Sequence, residues 1–277
     1  MSGLIINADD LGYSTQINKA IMDLFAAGLV TSTSLLVNQP ASEAGAELAR
    51  RQPQLSVGVH LNLSLGHPVL AAKLVPSLVD EQGVFWDTAS LFRRALLGQV
   101  NWHEAAAELE AQVRWALVHG LHLDNLDSHV HFHSLPAARR ITQQLARQYH
   151  VAAWRTPYVL STVMPTRLWS DVLATPVKPL RSDELSTPDY LMLLDQWGER
   201  LLTDGRIAKL LGKPDVVAEL VLHPGYHNDP ELPADEQLGS EQRQEEVNLV
   251  TGTLFQTWLQ ETGARLVSFA NFQRMQA

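Results

Sequence analysis

The 277-residue chain predicts an α/β protein: a distorted (β/α) barrel of about seven mainly parallel strands in a single domain. Three observations lead there. Short apolar runs alternate with amphipathic segments along the whole length, several of those runs stop on an aspartate or a histidine, and no repeat, low-complexity tract or linker interrupts the alternation. The competing architecture is a doubly wound open sheet, whose glycine-rich phosphate fingerprint is absent.

Composition narrows the classes. Hydrophobic residues make up 45% and charged residues 18%, as in a soluble globular protein with a sizeable core. A formal charge of −9 without any cluster of Lys or Arg excludes a phosphate-tracking surface, so nucleic acid is not an expected partner. There is no cysteine, which leaves His, Asp and Glu as metal ligands. No apolar run is long enough to span a bilayer, and the first strand begins at Leu4 with no room for a signal peptide ahead of it, so the expected location is cytoplasmic.

The first strand, Leu4 to Ala8, ends on Asp9-Asp10-Leu11-Gly12. Side chains alternate along a strand, so two adjacent carboxylates share a task only where the strand ends or twists between them; otherwise one of them caps the next helix. Ser14 or Thr15 caps a helix with Ile17, Ala20, Ile21, Leu24 and Phe25 on one face, closed by Gly28. Val30 to Val37 is a β-branched second strand ending at Asn38, and Ser42 caps a helix to about Arg51. The third strand, Ser56 to Leu63, sets Gly58, His60 and Asn62 on one face. Residues 64–100 lack a regular period and are expected to lie over the active face as a binding loop, or as a peripheral helix at Ala89 to Leu97. Asn101, with Glu104 three residues on, opens a helix ended by Gly120.

At strand period, Asp127, His129, His131 and His133 then fall on one face, with Leu126, Ser128, Val130 and Phe132 on the other. Four ionisable groups on an internal strand need partners, and a metal supplies them; a solvated edge strand is the alternative. Pro136 starts the next helix. Val151 to Arg155 is a fifth strand, whose arginine suits an anion, a substrate hydroxyl or a structural ion pair with an acid. Thr187-Pro188 opens a helix through about Leu202. Val216 to Leu222 is a strand stopping at His223, with Glu219 and Val221 on the same face as the histidine. Glu241 to Thr262 is the last helix, and Gly263 leads into a final strand, Arg265 to Phe269.

Four strand ends thus carry Asp9 with Asp10, His60, His129 with His131, and His223. One carboxylate and two imidazoles on neighbouring strands can hold one divalent metal with open positions. Such a centre serves hydrolysis, or oxygen chemistry if the metal is iron. For hydrolysis, a second aspartate can act as general base and a histidine across the site can protonate the departing group.

Asn7-Ala8-Asp9-Asp10-Leu11-Gly12, Gly58-Val59-His60-Leu61-Asn62-Leu63, Asp127-Ser128-His129-Val130-His131 and Leu222-His223-Pro224-Gly225 resemble, in order, the motifs of the YdjC-like carbohydrate deacetylases, the family that includes chitooligosaccharide deacetylase. A later Arg243-Gln244-Glu245-Glu246 segment matches as well, so the resemblance runs from Leu4 to about Phe269. It implies a distorted (β/α) barrel that removes N-acetyl groups from an amino sugar or short N-acetylated oligosaccharide. It further implies Asp10, His60 and His129 as ligands of Mg²⁺ or Zn²⁺, Asp9 as general base and His223 as general acid, with His131 lining the site. Asp127 is a candidate to orient a ligand histidine, and Arg155 and Asn38 are further candidates for the lining. Phe85, Trp86 or Trp169 is placed to stack on a sugar ring or simply to pack. The expected partner is a small N-acetylated sugar, with a homodimer as the open assembly state. A non-haem iron oxygenase and a non-catalytic sugar-binding paralogue are the alternatives from other classes.

Overall fold

The apolar runs read from the sequence become strands of one sheet. The computed structural model describes residues 1–157, 159–160, 185–232 and 237–272. In chain order these form β1 (Gly3–Leu11), α1 (Thr15–Ala26), β2 (Ser32–Leu35), α2 (Ser42–Arg50), β3 (Ser56–Leu61), α3 (Thr88–Leu96), α4 (Trp102–Val118), β4 (Asn125–Ser128), α5 (Pro136–Gln148), β5 (Ala153–Trp154), β6 (Tyr190–Leu193), α6 (Gly205–Leu211), β7 (Val217–Leu222), α7 (Gln237–Thr251), α8 (Thr253–Thr262) and β8 (Arg265–Val267). All strand pairs are parallel, in the order β5-β4-β3-β2-β1-β7-β6, with β8 added beside β1. One edge of β1 takes β7 along Gly3 to Ala8; the other takes β8 beside Gly3 to Ile5 and β2 beside Asn7 to Leu11. The two ends of the path approach each other through single bridges, Ala153 with Ser186 and Val159 with Leu191. This is the curled half-barrel sheet of a distorted barrel, and strands 2 to 5 follow one another without the order reversal of a doubly wound sheet.

Alternation decides what each face meets. Leu4, Ile6 and Ala8 of β1 join Ile17, Ile21 and Leu24 of α1 in the large core between strands and helices. Ile5 faces the other way, into a small cluster with Ala153, Val217, Val267, Phe269 and Phe272 that fills one end of the barrel interior. The rings of Phe269 and Phe272 meet edge to face at 5.9 Å. Two further bonds fix this segment: Ser32 Oγ accepts from the Phe269 N–H and Ser56 Oγ from the Ala270 N–H. Farther along the same faces, toward the C-terminal strand ends, the inward residues turn polar: Asn7, Asp9, Ser34, His60, Asp127, Arg155 and Glu219.

Local chemistry explains most boundaries. Ser14 caps α1 by accepting the Ile17 N–H, and Gly28, at φ +73°, closes it. Asn101 caps α4, but Glu104 does not complete a capping box: its carboxylate takes the Ser77 N–H, and the Asn101 N–H goes to Ser77 Oγ instead. Ser42 opens α2 without capping it, its hydroxyl donating to the Leu36 carbonyl and accepting the Gln39 N–H, and three expected elements are corrected. The strand through His133 stops at Ser128, because Ser128 Oγ accepts the His133 N–H and bonds its ring, folding residues 129–134 into tight turns kinked at Val130 and His131, both in the left-handed region. The helix expected from Thr187-Pro188 is instead β6, followed by a helical turn Leu194–Trp197. Tyr190 to Leu193 pair with Ala218 to Val221, and that pairing overrides local propensity. The last long helix is broken at Gly252, whose extended backbone separates α7 from α8.

Candidate functional site

The site forms where β1 loses its regularity. The β1–β2 register shifts between Ala8 and Leu11, and Asp10 lies at φ +71°. This bulge breaks the alternation and lets two successive carboxylates serve one centre. Gly12 completes the corner at φ +91°; a Cβ there would come within 2.5 Å of the Leu36 carbonyl oxygen.

Asp10 Oδ1 lies 3.5 Å from His60 Nε2 and 3.4 Å from His129 Nδ1, and this buried oxygen has no hydrogen-bond partner. The other oxygen of Asp10, Oδ2, accepts from Arg243 Nη2 at 2.6 Å. Ligand atoms of Asp10, His60 and His129 all fall within 4.8 Å of one another, a spacing that fits one divalent ion. His60 Nδ1 is bonded to Asp127 Oδ1 at 2.8 Å, which fixes the ring with Nε2 toward the centre, the usual support for a metal-binding imidazole. Asp127 is held in turn by Ser34 Oγ and by Asn125 Nδ2 at 3.3 Å. Asn125 packs so closely on Gly58 that a Cβ there would lie 2.4 Å from its amide oxygen, so β3 needs glycine at this position. Asp9, His60 and Asp127 have similar spacing among themselves, but Arg155 already fills the space between the two acids.

Arg155 resolves to the ion-pair alternative. Fully buried, it grips Asp9 through both terminal nitrogens at 2.6 and 2.7 Å, gives Nε to Glu219 at 2.9 Å, and lies 3.1 Å from Asp127. Burial would raise the Asp9 carboxyl, but Arg155, with His60 and His223 nearby, holds it well below the ordinary range. Asp10 is also held low: burial opposes this, and Arg243 and His129 overcome it. For His60, burial favours the neutral ring, yet Asp9 and Asp127 raise its pKa. Burial, helped by Arg155, lowers His131 to about 3, so this ring is neutral.

Glu219 behaves differently from the other acids. Burial pushes its carboxyl up to about 7, because Arg155 is shared with Asp9 and Asp127 and only partly offsets the lost hydration. Folded Glu219 therefore keeps a proton that the unfolded chain releases near 4.5. Its contribution to stability is full below that value and is lost as pH rises through about 7. Urea midpoints should fall with rising pH across this window, and Glu219→Gln should flatten the fall; an unaltered slope in the variant would refute the assignment.

His223 stands across the site, with Nε2 3.9 Å from Asp9 Oδ2. Its backbone N–H donates to Glu246 Oε2 at 2.6 Å. Asp9, His60, His129, His131 and His223 border a cavity of 740 Å³, and α3 forms a wall of it with Phe92 and Leu96. Of residues 64–100 it is the peripheral helix, α3 with Leu97, that borders this cavity. Asn38 is not brought to this cavity: its amide donates to the Leu65 and His67 carbonyls, bracing the loop after β3. Phe85 is buried in the core and Trp86 lies under Arg94, 4.5 Å from its ring, so both pack; Trp169 lies outside the described residues. Sequence reasoning gave no role to Arg243 and Glu246, although their three-residue spacing on a helix puts them on one face.

A parallel β/α half-barrel with carboxylates and imidazoles gathered at its C-terminal strand ends defines an α/β-barrel protein with a candidate metal centre in the barrel mouth. The chain belongs to the YdjC-like family, whose sequence profile, described as YdjC-like protein, matches residues 3–261. It is 32% identical to a carbohydrate deacetylase of Geobacillus stearothermophilus over 98% of each chain, and 31% identical to one of Mus musculus over 95% of this chain and 92% of that one. Among solved structures it resembles an Enterococcus faecalis V583 protein provisionally described as a cellobiose-phosphate cleavage protein, with a TM-score of 0.75, 29% identity and 97% coverage of each chain.

Proposed function

We propose that this protein is a metal-dependent hydrolase that removes N-acetyl groups from an amino sugar or a short N-acetylated oligosaccharide. The observation that carries the reading is the unpartnered, buried Asp10 Oδ1 between His60 and His129, directly beside an anchored Asp9 and opposite His223. Membership of the YdjC-like family and relatives that are carbohydrate deacetylases support a sugar substrate. A bound Mg²⁺ or Zn²⁺, held by Asp10, His60 and His129, would supply Lewis-acid polarisation of the acetamide carbonyl. Asp9, fixed by Arg155, takes the proton of the attacking water. His223, reaching the cavity from the other side, protonates the departing amine through Nε2. Asp127 keeps His60 in the tautomer that presents Nε2.

Asp9 and His223 favour hydrolysis over oxygen chemistry, which has no use for both; turnover without oxygen separates the two. A cavity walled by α3 suits short ligands, and a cytoplasmic setting is part of this proposal; no helix among the described residues is long and apolar enough to cross a membrane. Acetate release from N-acetylglucosamine, its di- and trisaccharides and insoluble chitin is the test. The small sugars should be hydrolysed, and clear preference for the polymer or for non-sugar acetamides would overturn the substrate class. His129→Ala should lose bound metal; unchanged metal content by elemental analysis would remove His129 from the ligand set.

A further inference from the structure

Behind His223 lies a second cavity, of 710 Å³, that the reaction described above does not use. It opens between the turn Leu194–Trp197, α7 and the start of α8. Glu246 of α7 forms the wall between this cavity and His223. The glutamate is 7% exposed, lines the second cavity, gives Oε2 to the His223 N–H, and places Oε1 3.9 Å from His223 Nδ1. The other ring nitrogen, Nε2, faces the active cavity and Asp9. The imidazole therefore presents one nitrogen to the reacting groups and the other to a buried carboxylate with its own outlet.

This arrangement suits an acid step in which the imidazole enters without a net charge. A neutral His223 that gives its Nε2 proton to the leaving amine would become an imidazolate unless Nδ1 gains a proton in the same step. We propose that Glu246 supplies that proton, acting as the proton-holding partner of His223 on the side away from substrate. The inference rests on the acid role of His223 given above. In the forward step the Nε2–H bond breaks as the amine N–H bond forms, while Oε1 and Nδ1 close from 3.9 Å to hydrogen-bond distance, the Glu246 O–H bond breaks and Nδ1–H forms. The site resets when Asp9, holding the proton taken from water, passes it to Nε2 and Nδ1 returns its own to Glu246. No external acid is consumed, and the second cavity lets solvent set the initial protonation of Glu246.

The surroundings fit a carboxyl that carries a proton at neutral pH. Burial, opposed by His223, leaves Glu246 at about 7; Asp195, which lines both cavities, adds to the rise, and Arg243 on the same helix works against it. His223 additionally faces Asp9. Glutamine at 246 can still accept the His223 N–H, so Glu246→Gln removes the proton and keeps the backbone bond.

The experiment compares the full chain with Glu246→Gln and Glu246→Asp. Nitrogen-15 NMR titration of the His223 ring, assigned with His223→Gln, needs no substrate. In the parent protein it should show two coupled steps, and in Glu246→Gln a single one. For acetate release, Glu246→Gln should lower kcat at least about tenfold with KM little changed, within the reach of a proton-transfer group, and Glu246→Asp should restore part of it. Identical His223 titration in the parent and Glu246→Gln overturns the proposal, as does an altered titration with unchanged kcat. A parent protein that releases no acetate overturns the deacetylase reading; the NMR comparison decides the Glu246–His223 link in that case too.

Discussion

Arg155→Met is expected to cost about 3–5 kcal/mol of folding stability, the usual result of removing one partner from a buried charge network. The side chain is fully buried, and its guanidinium lies 2.6 to 3.1 Å from Asp9, Asp127 and Glu219. Methionine keeps most of the stem but leaves three acids facing one another without a cation. The loss should shrink on acidification. In the parent, the lowered pKa of Asp9 contributes stability that is present above the ordinary carboxyl range and is lost as pH falls. The variant lacks that contribution, so the two proteins converge toward acid. Urea unfolding at neutral and mildly acidic pH measures both. A neutral-pH difference below about 1 kcal/mol, the worth of an exposed ion pair, would show that Arg155 is not the hub of the network.

Asp9→Asn and His223→Ala should each lose on the order of 10²-fold or more in rate while keeping bound metal, as expected when a positioned proton-transfer group is removed. Neither residue belongs to the set formed by Asp10, His60 and His129, and the amide oxygen introduced by Asp9→Asn can still accept from Arg155. Elemental analysis together with acetate release separates binding from chemistry. Full activity in either variant would cancel its assigned role, and loss of metal in Asp9→Asn would move Asp9 into the ligand set.

The barrel and the main groups of the site were legible because buried parallel strands are short apolar runs and their polar inward residues cluster at one end. Asp9, His60 and His223 stand out on that basis alone. His-x-His alternation predicts a strand continuing through His133 because it looks the same whether or not the backbone turns. The turn depends on Ser128 bonding His133, and on left-handed Val130 and His131, which no residue type announces. Tyr190 to Leu193 has no period that separates strand from helix, and its partner β7 decides the matter. Arg243 and Glu246 sit in a run of charged and amide residues that reads as a solvated helix face. Their roles emerge only when α7 packs against Asp10 and His223.

The pairing of β1 also has a consequence for synthesis. Of the described strands this one leaves the ribosome before the others, yet along Gly3 to Ile5 both of its partners, β7 and β8, emerge after all the rest. Until those late segments emerge, an apolar ribbon with unpaired edges must wait, shielded by chaperones or by transient contact with α1. Parallel pairings of such long sequence separation are slow to form. A chain stalled or truncated before Arg265 would lack β8 and would also leave the interior cluster around Ile5 without Val267, Phe269 and Phe272. Nascent chains of that length are therefore expected to aggregate rather than persist as a smaller working barrel.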